Sequence, residues 1–199
     1  NTLLFATGAA LGTTLIGVPV GYVVTRWRSG VATVLDVLAT LPFAVAGTVL
    51  AIGFVISFNS GWLVLTGGPL ILVLAYTVRK VPFAVRSASA IVHQIDVALE
   101  EASISLGRSP FQTFMRVVVP LMVGGIASGI VLTWVTVASE LSATVVLYSG
   151  QWRTMTVVMF QALEGGGAGV ATAAATTLIL VTVIPIALLY RLVKRYELG

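Results

Sequence analysis

The sequence contains long apolar runs, and these constrain the fold more than any other feature. The first extends from Thr2 to about Val24 without a charged residue, and a spanning helix needs about 20 mostly apolar residues. Charged residues make up only 9% of the 199-residue chain, too few to cover the surface of a soluble domain. Because a backbone in lipid must satisfy its own hydrogen bonds, the sequence predicts an all-α membrane protein.

Four more apolar segments follow, which predicts a bundle of about five transmembrane helices. They run from Val31 to about Phe58, from Pro69 to about Val92 with Arg79 and Lys80 inside, from about Val117 to Tyr148, and from about Gly169 to Tyr190. Residues 1–199 are thus expected to form one transmembrane domain. The start at Asn1 and the short length favour one half or a fragment of a longer chain. A separate subunit that pairs with itself is the alternative.

Basic residues predict the orientation in the membrane. Five spans place the termini on opposite sides, and ten of the 11 Lys and Arg residues then fall on one side, with only Arg153 on the other. By the positive-inside rule the basic side is cytoplasmic, so the N-terminus is outside and the C-terminus inside. The net charge of +4 does not indicate nucleic-acid binding, since no basic stripe is interleaved with aromatic residues.

The cytoplasmic stretch between the third and fourth spans, at about residues 94–116, is predicted to form two short helices. Asp96 fits an N-cap, and Glu100 and Glu101 favour the positive end of the helix that follows. This helix is expected to run to about Leu106 and to stop at Gly107, a good C-terminal residue.

The second short helix carries its own start signal. Ser109 fits the N-cap, Pro110 the first helical position and Gln112 the third, which together form a capping box. Helical spacing predicts one apolar face on this helix, formed by Phe111, Phe114, Met115 and Val118. Such an element either lies on lipid or docks a cytoplasmic protein.

The spacing of this loop matches a known motif. Glu101-Ala102-Ser103, three residues, Gly107, nine residues and Val117-x-Val119-Pro120 resemble the E-A-A-x3-G-x9-I-x-L-P loop of ABC importer permeases. Ser103, Val117 and Val119 are conservative departures. The segments Thr40–Gly53 and Pro82–Arg86 are similar to the same family. The chain therefore resembles the permease of a type I, binding-protein-dependent ABC importer, within the iron(III), thiamine and phosphonate group.

The resemblance implies that the membrane pathway and ATP hydrolysis are located on separate subunits. The loop is expected to couple to a dimer of cytoplasmic ATP-binding subunits, which carry ATP and Mg, while this chain binds no cofactor or metal and has no catalytic residue. It has no G-x4-G-K-[ST] phosphate loop. A second permease half and an extracytoplasmic binding protein complete the importer in a bacterial or archaeal inner membrane. The coupling residues implied are Glu100, Glu101, Ala102, Ser103, Gly107 and Pro120.

The cargo is expected to be iron(III), with thiamine, a phosphonate, a polyamine or an oxyanion as alternatives. The resemblance also suggests that Glu140 lines the pathway with Ser139, Ser142 and Thr144. Counted along a straight helix, Glu140 lies ~30 Å beyond Pro120, near the outer part of the membrane. A carboxylate there must face water or a partner, so a structural pair with a basic group is the other interpretation.

The remaining polar residues predict little chemistry of their own. Asp36 is expected to have a structural partner such as Arg28. Arg79, Lys80 and Arg86 are expected to reach towards cytoplasmic water, and His93 is expected to be a surface residue. A secondary transporter or channel would need a charged relay inside the membrane, for which only Glu140 is available. An intramembrane enzyme would need an acid–base constellation that the spans lack.

Overall fold

A computed structural model describes the backbone of residues 1–27 and 29–197, and the side chains of 1–27, 29–184 and 186–187. These residues form helices joined by short turns, as the sequence predicts. The first half contains α1 (Thr2–Arg26), α2 (Gly30–Ala44), α3 (Gly47–Phe58), α4 (Pro69–Val92) and α5 (Val97–Ser105). The second half contains α6 (Pro110–Thr113), α7 (Val119–Leu121), α8 (Val123–Ala138), α9 (Thr144–Leu147), α10 (Met155–Glu164) and α11 (Ala168–Glu197).

The core is built on the close packing of α1 against α4, with α8 beside both. Glycines permit this approach. A Cβ on Gly17 would lie 2.4 Å from the Cβ of Ala84, and one on Gly21 would lie 2.7 Å from that of Ala88. Fully buried side chains fill the rest of the interface, with Phe5 from α1 and Tyr76 from α4 among the largest. Small residues thus bring the backbones together, which is the usual way that helices associate in lipid.

Two adjacent glycines of α8 test this packing. A Cβ on Gly125 would lie 2.2 Å from Cγ1 of Ile91, whereas one on Gly124 would have nothing within 4 Å. We expect Gly125→Ala to lower the free energy of unfolding by about 1–3 kcal/mol through overpacking. Gly124→Ala should leave it unchanged or raise it by up to about 1 kcal/mol, because alanine favours a helix. Thermal unfolding in detergent measures the stability of both variants. Equal midpoints would contradict the close contact of Gly125 with Ile91.

The second predicted span is not one helix, contrary to expectation. The chain bends by 105° between α2 and α3, because Val45 and Ala46 adopt extended backbone angles. Pro42 lies inside α2 just before the break. The start of α3 at Gly47 packs against a side chain of α4, and a continuous helix would not bring it there.

The fourth predicted span is also shorter than expected. A bend of 72° separates α6 and α7 from α8, and α8 ends at Ala138 rather than near Tyr148. The chain then turns through α9 into α10, a helix that the sequence analysis missed although Thr154 caps it. Gly165 and Gly166 form the turn into α11. The placement of Glu140 on a straight helix was therefore wrong.

Length and composition bound the number of spans among the described residues. One helix, α1, is long and apolar enough to cross a membrane, and up to three spans result if each bent pair counts as one. Helix α4 has 24 residues but carries three basic side chains, and α11 is apolar over the stretch Ala168–Ile184 of the described residues. Each of the five predicted spans nevertheless contains a helix.

Candidate coupling loop and buried charge cluster

The first loop helix forms as its sequence predicts. Asp96 caps α5 by accepting a hydrogen bond from the amide of Ala98 at 3.0 Å. The helix ends at Ser105, and Gly107 follows with a φ of +87°, a left-handed conformation that favours glycine. The sharp turn between the two loop helices therefore depends on this residue.

The second loop helix has the predicted start but a different continuation. Ser109 and Gln112 form the capping box reciprocally, at 3.3 Å in each direction. After α6 the chain winds as a π-helix over Phe114–Val118. Because this wider turn changes the angular spacing of side chains, the predicted apolar face is divided. Val118 is buried and Phe114 half-buried, while Phe111 and Met115 are exposed.

Two neighbouring glutamates of α5 have opposite environments. Glu100 is buried, and its carboxylate accepts hydrogen bonds from Nε of Arg26 at 2.8 Å and from the hydroxyl of Tyr22 at 2.5 Å. Arg26 also donates to the carbonyl of Ile95 at 2.7 Å. Glu101 is exposed. We name Tyr22, Arg26 and Glu100 the α1 clamp, because they join the end of α1 to the loop.

The loop is held together internally and presents apolar side chains outwards. The buried hydroxyls of Ser103 and Thr113 lie 2.9 Å apart and join the two loop helices, and Phe114 packs on Tyr22 with ring centroids 4.7 Å apart. Ala102 and Pro120 are exposed. Six large apolar side chains of the loop are also exposed: Val97, Leu99, Ile104, Leu106, Phe111 and Met115. The residues that the sequence predicts for coupling thus divide into a buried set and an exposed set.

The second site is a buried group of charges between α4 and the end of α8, which we name the charge cluster: Arg79, Lys80 and Glu140. Nη1 of Arg79 lies 3.0 Å from Oε1 of Glu140, and Nζ of Lys80 lies 3.1 Å from Oε2. Lys80 is 7% exposed and Glu140 is 8% exposed. The expectation that Arg79 and Lys80 reach cytoplasmic water was wrong, because both turn inwards to this carboxylate. An unpaired carboxylate there would be expensive.

Hydrogen bonds fix the orientation of Glu140. Its Oε1 accepts from the Ser142 hydroxyl at 2.7 Å and from the amide of Ala143 at 3.4 Å. Its backbone carbonyl accepts from Thr144 and Thr156, and Thr144 also meets the hydroxyl of Tyr76 at 2.6 Å. Ser142 and Thr144 are therefore hydrogen-bonded to Glu140.

Ser139 does not join this group, because it is exposed and donates to Val135 in its own helix. The other interpretation of Glu140 was a structural pair with a basic group. Its contacts with Arg79 and Lys80 are of this kind. A role in lining the pathway stays a prediction.

Three other sequence predictions concern Asp36, Arg86 and His93. Asp36 has a structural partner, but this is Arg86, whose Nη1 lies 3.1 Å from Oδ1; Arg28 lies outside the described residues. Arg86 thus makes an ion pair, although it is more than half exposed. His93 is exposed, as expected. The side chains of Arg191–Arg195 lie outside those described.

Bent helices with a capped two-helix projection form a fold that is also found among solved structures. The fold matches a chain of the inward-facing MetNI methionine ABC transporter with a TM-score of 0.83. The match covers 98% of this chain and 92% of that chain at 18% identity, which shows the fold. The all-α permease fold expected from the sequence is thereby confirmed.

The family is shown by the sequence comparison. Residues 13–197 match the model of the binding-protein-dependent transport system inner membrane component, and the chain belongs to this family. It is 34% identical over 181 residues to the ferric transport system permease protein FbpB of Actinobacillus pleuropneumoniae, covering 91% of this chain and 26% of that protein. It is 32% identical over 151 residues to the molybdate/tungstate transport system permease protein WtpB of Pyrococcus abyssi, covering 74% of this chain and 58% of that protein.

Proposed function

We propose that this chain forms one half of the membrane pathway of an ATP-driven importer. The loop from Asp96 to Pro120 docks into a cytoplasmic ATP-binding subunit, with the N-terminus of the chain outside and the C-terminus inside. A second permease half completes the pathway, and an extracytoplasmic binding protein delivers the cargo. The chain spans about a quarter of the length of the ferric permease that it resembles. Its partners are therefore inferred from the family and from the loop.

The contrast between Glu100 and Glu101 carries this proposal. A loop that only lies on lipid does not require a buried ion pair to a neighbouring helix. Glu100 nevertheless binds Arg26 and Tyr22 of α1. This clamp leaves Glu101 free at the surface among exposed apolar side chains. Exposed apolar side chains bordered by charged or polar residues are typical of a protein interface. The loop can then transmit movement of the ATPase to α1 through a short, rigid connection.

The proposed cargo is iron(III), by similarity to the ferric permease. The molybdate/tungstate permease is a relative of comparable identity, so an oxyanion is the second candidate. Since the binding protein selects the cargo, the decisive experiment is to reconstitute the permease with its ATPase and each candidate binding protein. We expect the loaded iron(III)-binding protein to stimulate ATP hydrolysis. No stimulation by any binding protein, together with uptake driven by an ion gradient alone, would favour a secondary transporter.

The α1 clamp provides a prediction of its own. Arg26→Gln leaves the buried carboxylate of Glu100 without its cation, at a cost of about 1–3 kcal/mol. We expect the ATPase to remain bound through Glu101, while the amount of cargo imported per ATP falls several-fold. Arg26→Lys should restore part of the cargo imported per ATP. Arg153→Gln, which changes an exposed arginine on the other side, is the control. Unchanged coupling in Arg26→Gln would show that the clamp transmits nothing.

A further inference from the structure

The charge cluster contains more positive than negative charge. Arg79 and Lys80 share one carboxylate, Glu140, at 3.0 and 3.1 Å. Within the part of the chain that the structure describes, no other carboxylate lies within 4.0 Å of either cation. The other ion pair of α4, Arg86 with Asp36, has one charge of each sign. The cluster therefore carries a net charge of +1, which its own residues do not neutralise.

This excess charge is buried near the middle of the bundle. Arg79 and Lys80 lie midway along the 24 residues of α4, and Lys80 is 7% exposed. A low dielectric strengthens the field of an uncompensated charge. Ionisable residues at this depth are costly and typically mark the path of a substrate or an ion. An excess positive charge here attracts anions and opposes the passage of bare cations.

Arg79 has hydrogen-bond donors to spare. Its Nη1 makes both contacts of the guanidinium, with Glu140 and with the Ser142 hydroxyl, each at 3.0 Å. Among the described side chains and backbone, Nε and Nη2 have no acceptor. The guanidinium presents its donors as a planar fork that matches the paired oxygens of a carboxylate, sulfate or phosphate. Arg79 is therefore equipped to hold an oxyanion as well as Glu140.

The start of α3 adds to the same field. A Cβ on Gly47 would lie 1.7 Å from Nη1 of Arg79, so the guanidinium lies directly against the first residue of this helix. Ala46 precedes it and provides no side-chain cap. The positive end of the helix dipole thus faces a cation instead of compensating it. Two cations and a helix N-terminus converge where a single carboxylate is present.

We propose that Arg79 and Lys80 form a binding site for an anionic group of the cargo, with Glu140 as the internal counter-charge when the site is empty. The proposal rests on the importer function above and narrows its substrate class. A tetrahedral oxyanion fits directly. Iron(III) fits only when it is surrounded by anionic ligands, because a bare trivalent cation is repelled. The shared chemistry is an oxyanion group that accepts hydrogen bonds from the Arg79 guanidinium.

Equilibrium binding to the purified transporter complex tests the site. Radiolabelled sulfate and molybdate are titrated onto the complex without its binding protein. We expect saturable binding of at least one of them, weakened about tenfold or more by Arg79→Gln, since hydrogen bonds to a charged group are among the strong ones. Arg86→Gln is the matched control, because it removes a paired arginine from the same helix. Absence of saturable binding, or equal weakening in both variants, overturns the site.

A second variant separates binding from folding. Glu140→Gln removes the counter-charge but keeps a side chain of the same shape. If the carboxylate competes with a bound anion, this change raises anion affinity several-fold. If the cluster serves only to hold the helices together, the same change weakens the protein and does not tighten binding. Tighter binding supports the proposal, and unchanged or weaker binding overturns it.

Uptake by proteoliposomes identifies the source of the anion. One arm supplies molybdate and the other supplies iron(III) citrate, each with its binding protein. Accumulation of molybdate that Arg79→Gln abolishes assigns the site to a free oxyanion. Accumulation of iron that Arg79→Gln abolishes assigns it to the anionic ligand of the metal. Cargo uptake that Arg79→Gln does not change overturns the site but leaves the importer function intact. That function fails separately if no binding protein stimulates ATP hydrolysis.

Discussion

Replacing Glu101 with lysine is expected to abolish ATP-driven uptake while the protein remains inserted in the membrane. Glu101 is exposed on α5, so the change disturbs no internal contact. At the proposed interface we expect Glu101 to pair with a basic residue of the ATPase. A lysine at this position therefore brings two positive charges together. Like charges across an interface cost several kcal/mol, which weakens docking by about a hundredfold or more. The readouts are co-purification of the ATPase and binding-protein-stimulated uptake.

Two controls separate this effect from a general effect of charge. Glu164→Lys makes the same change of charge at the exposed end of α10, away from the loop, and should transport normally. Glu101→Gln removes the charge without reversing it and should retain part of the activity. If Glu101→Lys binds the ATPase and imports cargo as well as Glu164→Lys does, the proposed docking surface is wrong.

Local sequence patterns predicted the loop well because its contacts are local. The Asp96 cap, the turn at Gly107 and the reciprocal bonds of Ser109 with Gln112 each join residues within a few positions of one another. Residue type and spacing are sufficient to identify such features. The π-helical turn after Thr113 was not predicted in this way; its first residue, Phe114, packs on Tyr22 of α1, far away in the sequence.

Long-range contacts explain the remaining differences. Nothing in the order of residues indicates that Glu100 rather than Glu101 faces Arg26, since a rotation about the helix axis decides it. Likewise, Lys80 and Glu140 are far apart in the sequence, and their pairing requires α8 to end at Ala138 and the chain to turn back. A lone carboxylate in an apolar run predicts a partner. It does not identify which of the basic residues the fold will bring to it.

Gly47→Ala is expected to have the second large effect, although it adds one methyl group. The added Cβ would lie 1.7 Å from Nη1 of Arg79 and 2.4 Å from Oγ of Ser142, so the guanidinium must leave its place beside Glu140. Breaking a buried ion pair costs about 3–5 kcal/mol. We therefore expect a large fall in the thermal midpoint and loss of uptake. Gly53→Ala is the matched control, because it lies in the same helix with nothing within 4 Å of its Cβ position.

The double variant Gly47→Ala with Arg79→Ala distinguishes the steric effect from the electrostatic one. Removing the guanidinium makes room for the methyl group. Gly47→Ala should therefore cost far less stability in the Arg79→Ala background than in the native one. A double-mutant cycle measures this coupling. Uptake should stay absent in the double variant, because the anion site has lost its principal donor. Equal losses of stability in both backgrounds would mean that Arg79 does not occupy the space beside Gly47. Recovered uptake would mean that the transporter needs the space but not the charge.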